Sequence, residues 1–276
     1  MPKGLSIHVG LNRVDPREYS GWDGALTACE ADGRAMQGTA DAEGYRSALL
    51  LTGDATHASV RGALREAGAE LRSGDIFLLT YSGHGGQVDD TNGDEPEDET
   101  WVLYDRELVD DELYAEFGRF RAGVRIVVIS DSCHSGTVTA TYERLVSSPH
   151  ARAVAVPGGP AAFRVMPRDV AEQVHDAKRA ELEEVQRAAG GGESEPVAAS
   201  ILLVSACQDS QLSLDGTANG LFTATLLAVW DGGRFRGNYR TLHRRILRRM
   251  PPTQTPNLYR TGRPDPRFGR ERPFRI

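Results

Sequence analysis

The sequence predicts an α/β sandwich with a mostly parallel central sheet and helices on both faces. Three observations predict it. Short runs rich in Val, Ile and Leu alternate with longer segments of helical period. One of those runs, Val124-Arg125-Ile126-Val127-Val128-Ile129, is almost wholly β-branched and suits a buried strand. The chain has 276 residues and 39% hydrophobic content, which suits one large domain with a sizeable core.

In chain order, a strand is expected over 5–11, a helix over 28–42, a strand over 47–52 and a helix over 56–71 opened by Thr56 as cap. A strand over 75–81, a helix over 110–120 opened by Asp110, and a strand over 124–130 follow. The last elements are a strand over 201–206 and helices over 220–230 and 239–250. The rhythm breaks between about 139 and 196, where Pro149, Pro157, Gly158, Gly159, Pro160 and Gly190-Gly191-Gly192 punctuate a charged stretch. This reads as a surface insertion within a single domain of residues 1–276. Its middle reads as an exposed helix, since Glu181, Glu183, Glu184 and Arg187 favour helix but apolar anchors are few.

Composition narrows the setting. A formal charge of -7 argues against nucleic acid as the main partner, although the stretch from Arg234 to Arg275 is rich in arginine. Its "HRRILRRM" reads as an amphipathic surface helix. The three cysteines, Cys29, Cys133 and Cys207, form no CxxC pair, so neither a disulfide framework nor a structural zinc is favoured. A reducing, cytoplasmic location is expected. No stretch reaches the roughly 18 apolar residues needed to span a membrane, and no leader is evident, so no membrane partner is expected.

In open α/β sheets, functional groups gather at the carboxyl ends of strands. The strand over 75–81 runs into Ser82-Gly83-His84-Gly85-Gly86, and the strand over 124–130 runs into Asp131-Ser132-Cys133. If these strands are neighbours, an imidazole and a thiol meet at the sheet edge, the pairing that makes cysteine a nucleophile. Glycines beside them leave N–H groups free for an oxyanion. His134 is adjacent to Cys133 in sequence, but successive residues at a strand end point in different directions. Cys29 and Cys207 read as packed thiols. A second cluster, "DDTNGDEPEDE" at 89–99 with Asp110 and Asp111, reads either as hard ligands for calcium or as a solvated acidic loop.

"YSGHGG" at 81–86 and "DSCHSG" at 131–136 resemble the histidine and cysteine motifs of metacaspases and their bacterial relatives, in the caspase-like clan of cysteine peptidases. "CEAD" at 29–32, "DDEL" at 110–113, "SACQDSQLSLD" at 205–215 and "NGLFTATLL" at 219–227 resemble further segments of that family. The resemblance implies a caspase-like three-layer sandwich and a cysteine endopeptidase. Cys133 would attack the scissile carbonyl and His84 would serve as acid and base. The N–H groups of Gly85 and Cys133 would hold the oxyanion. Asp32, Ser82 and Asp131 would line a pocket for arginine or lysine before the cut.

It also implies calcium held by Asp98, Asp110 and Asp111, although Ala140 stands where the family often has a further aspartate. Peptide or protein substrates, and a regulatory partner protein, are the partners implied. Arg144, Arg152, Arg164, Arg168, Lys178, Arg179 and Arg187 make the insertion a candidate substrate of its own enzyme. The alternatives are a caspase-like pseudoenzyme kept as a scaffold and a calcium-responsive binding module.

Overall fold

A computed structural model describes residues 1–90, 97–133, 163–189, 197–208, 211 and 213–276. Its main sheet has six strands in the order β2-β1-β3-β7-β8-β9. These are β1 (Gly4–Gly10), β2 (Arg46–Leu51), β3 (Ile76–Ser82), β7 (Arg125–Asp131), β8 (Ser200–Ser205) and β9 (Asn257–Gly262). Every neighbouring pair is parallel except β8 with β9.

Side chains alternate between two apolar clusters, which gives the layers. From β3, Phe77, Leu79 and Tyr81 join Val60 and Leu64 of α2 (His57–Glu70) and Phe117 of α3 (Asp110–Phe117). Ile76 and Leu78 face the other way. They join Met36 of α1 (Cys29–Ala42), Phe222 and Leu226 of α5 (Leu221–Trp230) and Leu242 of α6 (Tyr239–Leu247). Helices therefore cover both faces, as the sequence predicts. Thr56 caps α2 by accepting from the Ser59 N–H at 3.1 Å. Asp110 does not cap α3. The cap position is Val109, whose N–H donates to Glu112 within the helix at 3.4 Å.

Three features escaped the sequence reading. A small antiparallel sheet, β4 (Gly85–Asp89), β5 (Glu97–Val102) and β6 (Glu107–Val109), springs directly from the loop after β3. The strand β9 closes one edge of the main sheet. Third, the helix expected in the insertion, the 22-residue α4 (Arg168–Ala189), is docked rather than exposed. Val174, Leu182 and Gln186 are buried in it, and it packs on α3 and β4. Polar ties add to this. His175 bonds Glu107 at 2.9 Å, Lys178 bonds Glu18 at 2.7 Å, and the Gln186 amide donates to Asp98 at 2.5 Å. Among the described residues no helix is long and apolar enough to cross a membrane.

Candidate active site

The register of the two central strands sets the site. Ser82 at the end of β3 stands opposite Asp131 at the end of β7. His84 and Cys133 each lie two residues beyond that rung, so the parallel pairing carries imidazole and thiol to the same edge. The turn between has no room for a side chain: a Cβ at Gly83 would fall 2.5 Å from the Tyr81 hydroxyl. That hydroxyl donates to the His84 carbonyl at 2.6 Å and fixes the backbone that bears the ring.

The imidazole of His84 is buried against Trp22, with ring centroids 4.7 Å apart. Its Nε2 lies 3.0 Å from the Gly24 carbonyl. A carbonyl can only accept, so the neutral ring carries its proton on Nε2 and a lone pair on Nδ1. Nδ1 has no hydrogen-bond partner among the described residues. Burial lowers the His84 pKa to about 4, against smaller opposing effects of the Gly24 carbonyl, Asp215 and the Val165 backbone. The ring is therefore neutral near pH 7.

Cys133 is fully buried. Its Sγ accepts from the Ser213 N–H. Cys207 is buried as expected, but it is more than packing. Its thiol donates to the Ser132 carbonyl at 3.4 Å and touches Cys133, and this contact, followed by burial, pushes its pKa well up.

A residue from the insertion fills the space between these groups. Arg164 was expected among exposed cations, yet its side chain is 0% exposed. Its Nη2 lies 2.6 Å from Asp32 and 3.0 Å from Asp215, and its Nη1 lies 2.9 Å from Asp131. Nη1 also donates to Ser82 Oγ at 2.8 Å. Burial works against the guanidinium charge, but Asp131, Asp32 and Asp215 outweigh it and hold Arg164 well above its usual range. For Asp32, burial prevails over the attraction of Arg164 and raises the carboxyl pKa.

Further donors hold the acids in place. Asp131 accepts from the Thr223 hydroxyl at 2.6 Å and the Ser213 hydroxyl at 2.7 Å, Asp32 from Asn219 at 2.8 Å, and Asp215 from the Thr27 N–H at 2.7 Å. Asp32 is therefore an inward residue of α1 and not part of a solvated face.

The Arg164 backbone is equally engaged. Its carbonyl oxygen accepts from the N–H of Gly85 and the N–H of Cys133, both at 3.0 Å, and its own N–H donates to the Ser213 carbonyl at 3.1 Å. After it, Met166 N–H donates to the Gly85 carbonyl at 2.8 Å. The structure thus brings His84, Gly85, Cys133, Asp32, Ser82 and Asp131 around one arginine. The sequence reading missed Arg164 as occupant, Asp215 as a third acid, and Gly24 and Trp22 behind the imidazole. Asp215 closes the "SACQDSQLSLD" segment, so its place after a strand end was visible.

The acidic cluster lies elsewhere. Asp98, Asp110 and Asp111 each bring one carboxylate oxygen to within 4.8 Å of the others. Such a donor set fits a hard cation. His134 and Ala140 lie outside the described residues.

Two buried neutral histidines give an acid limb to stability. Burial lowers both His8 and His84 to about 4. As pH falls from 6.5 toward 4, the unfolded chain takes up protons that the folded one refuses, and stability is lost. Denaturant midpoints should therefore fall steadily from pH 7 to 4.5, whereas a flat profile would contradict neutral burial of these rings.

A model of the caspase domain matches residues 14–266. Metacaspase-1A of Neurospora crassa is 31% identical over 150 residues, covering 48% of this chain and 32% of that one. Metacaspase-1 of Mycosarcoma maydis is 33% identical over 151 residues, covering 49% and 36%. The match thus spans about a third of these relatives' length. The crystal structure of protein GSU0716 from Geobacter sulfurreducens is 48% identical with a TM-score of 0.89, covering 100% of this chain and 99% of that one. Caspase-1 of Spodoptera frugiperda shares the fold at 13% identity and a TM-score of 0.56, covering 95% and 86%. With a family match over most of its length, and with thiol, imidazole and acidic pocket converging at one sheet edge, this chain belongs to the caspase-domain family of cysteine peptidases and is metacaspase-like.

Proposed function

We propose that the protein is a cysteine endopeptidase that uses His84 and Cys133 to cut after arginine, and less readily after lysine. One observation carries the proposal: Arg164 lies as a substrate residue would, with its side chain among three carboxylates and its carbonyl on two N–H donors. Two Nη groups serve different acids, a division that a single ammonium cannot reproduce.

The chemistry follows from the atoms present. Cys133 Sγ attacks the carbonyl carbon, its proton passing to the free Nδ1 of His84. Negative charge developing on the carbonyl oxygen is held by the Gly85 and Cys133 N–H groups. His84 then protonates the departing amine, leaving a thioester on Cys133. Water, deprotonated by the same nitrogen, releases the arginine carboxylate and restores the thiol.

The same pose makes Arg164–Val165 the bond for self-processing. Calcium would be held by Asp98, Asp110 and Asp111, where it would supply charge neutralisation to a buried acidic cluster. Gln186 of α4 bonds Asp98, so this cluster is tied to the helix that follows the cut.

Fluorogenic peptides differing only in the residue before the cut should be turned over in the order Arg, Lys, then Asp and Leu near background, with calcium raising the rates. Fragment masses should place a nick after Arg164. Efficient cleavage after Asp or Leu would refute the pocket assignment, and an active sample left intact after long incubation with calcium would refute self-processing.

A further inference from the structure

The occupant of the cleft extends past the bond at Arg164, and what surrounds its second residue is unassigned. Met166 is only 2% exposed. Its backbone is fixed by the bond to the Gly85 carbonyl at 2.8 Å. Its side chain packs in a cluster with Val14, Tyr19, Val102 and Val174, with Trp22 alongside. Gly86 lies beneath: a Cβ there would stand 3.2 Å from the Met166 terminal methyl.

Tyr19, Val102 and Trp22 are tied to the catalytic framework, whereas Val174, with Val170 and Ala171 beside it, comes from α4 of the insertion. The Tyr19 hydroxyl donates to the Leu103 carbonyl at 2.7 Å, and the Val102 N–H donates to the His84 carbonyl at 3.0 Å. Trp22 packs against the His84 ring itself, with the two planes tilted by 57°.

We propose that this cluster is a specificity subsite on the leaving side of the cut, built from Val14, Tyr19, Trp22 and Val102 over Gly86, that takes a large flexible apolar side chain two residues after the scissile bond. The proposal rests on the reading of Arg164 as the residue before the cut. The subsite discriminates because a buried apolar wall gains with each methylene it covers and offers no partner to a charge. Methionine and leucine fill it, alanine leaves it partly empty, and aspartate is rejected. Because Trp22 touches both the subsite and the base, filling it also holds the imidazole against its carbonyl partner.

The test uses the full chain after self-processing and internally quenched peptides Phe-Arg-Val-X-Pro, with X as Met, Leu, Ala or Asp, beside a control with Leu in place of Arg. Met and Leu should exceed Ala in kcat/KM by about tenfold or more, and Asp by a larger factor. Equal rates across X with arginine dependence intact would overturn the subsite alone. Turnover of the control at the same rate, or of no peptide at all, would overturn the reading beneath it and the subsite together. Self-cleavage gives a second readout. Met166→Leu should nick at the parental rate and Met166→Asp about tenfold or more slowly, and equal rates would again overturn the subsite.

Discussion

Cys133→Ala and His84→Ala should each lower peptide turnover by a factor on the order of 10³ or more, and the double variant should be little worse than either. The thiol has no replacement. Cys29 is buried in α1 with its pKa raised by burial, and Cys207 is raised by its contact with Cys133, so neither offers a thiolate. Loss of His84 removes the one Nδ1 lone pair that stands free in the described site. Both variants should also stay uncut at Arg164–Val165 under conditions that nick the parent. Most of the activity surviving in Cys133→Ala would end the cysteine-peptidase reading. Matching fragments from that sample would point to a contaminating protease.

Arg164→Met should abolish self-cleavage and also destabilise the protein by about 3–5 kcal/mol near pH 8, the usual cost of removing one partner from a buried ion cluster. Asp32, Asp131 and Asp215 would lose the cation they share, and the Asp32 carboxyl, already raised by burial, would rise further. Carboxyl groups raised in the folded state favour folding below their unfolded pKa and cease to do so as pH rises through the folded value. The deficit should therefore shrink as pH falls toward 5. Urea midpoints at pH 8 and pH 5 measure it, and a variant as stable as the parent at pH 8 would show that the acids are not confined as described.

Local pattern carried much of this molecule and stopped at identifiable places. The five strands of the main sheet read from sequence lie within a residue of their observed bounds, because each carries a run of apolar residues, buried in four of them and half-buried in the edge strand β2. Strand β4, "GGQVD", and the acidic start of β5, "EDE", have little intrinsic preference for extended structure and depend on each other's pairing. His84 and Cys133 were legible because short motifs at strand ends carry them. Gly24 was not, since a backbone carbonyl leaves no mark in sequence. Arg164 was one basic residue among seven in the insertion, and nothing local distinguishes the one that meets acids from three distant segments.

The position of β8 beside β7 has a consequence for the molecularity of folding. Residues up to Arg164 contain β1 to β7 with the thiol and imidazole. Those after it contain α4, β8, β9 and two groups the site needs, Ser213 and Asp215. A cut at Arg164–Val165 leaves these halves joined by non-covalent contacts among the described residues: strand rungs, packed side chains and polar ties such as Thr223 to Asp131 and Gln186 to Asp98. Folding of the intact chain is first order, whereas reassembly of the nicked pair is second order and fails on dilution. Once cut, the protein persists for as long as it does not unfold, so self-cleavage would turn a reversible equilibrium into a lifetime set by the unfolding rate.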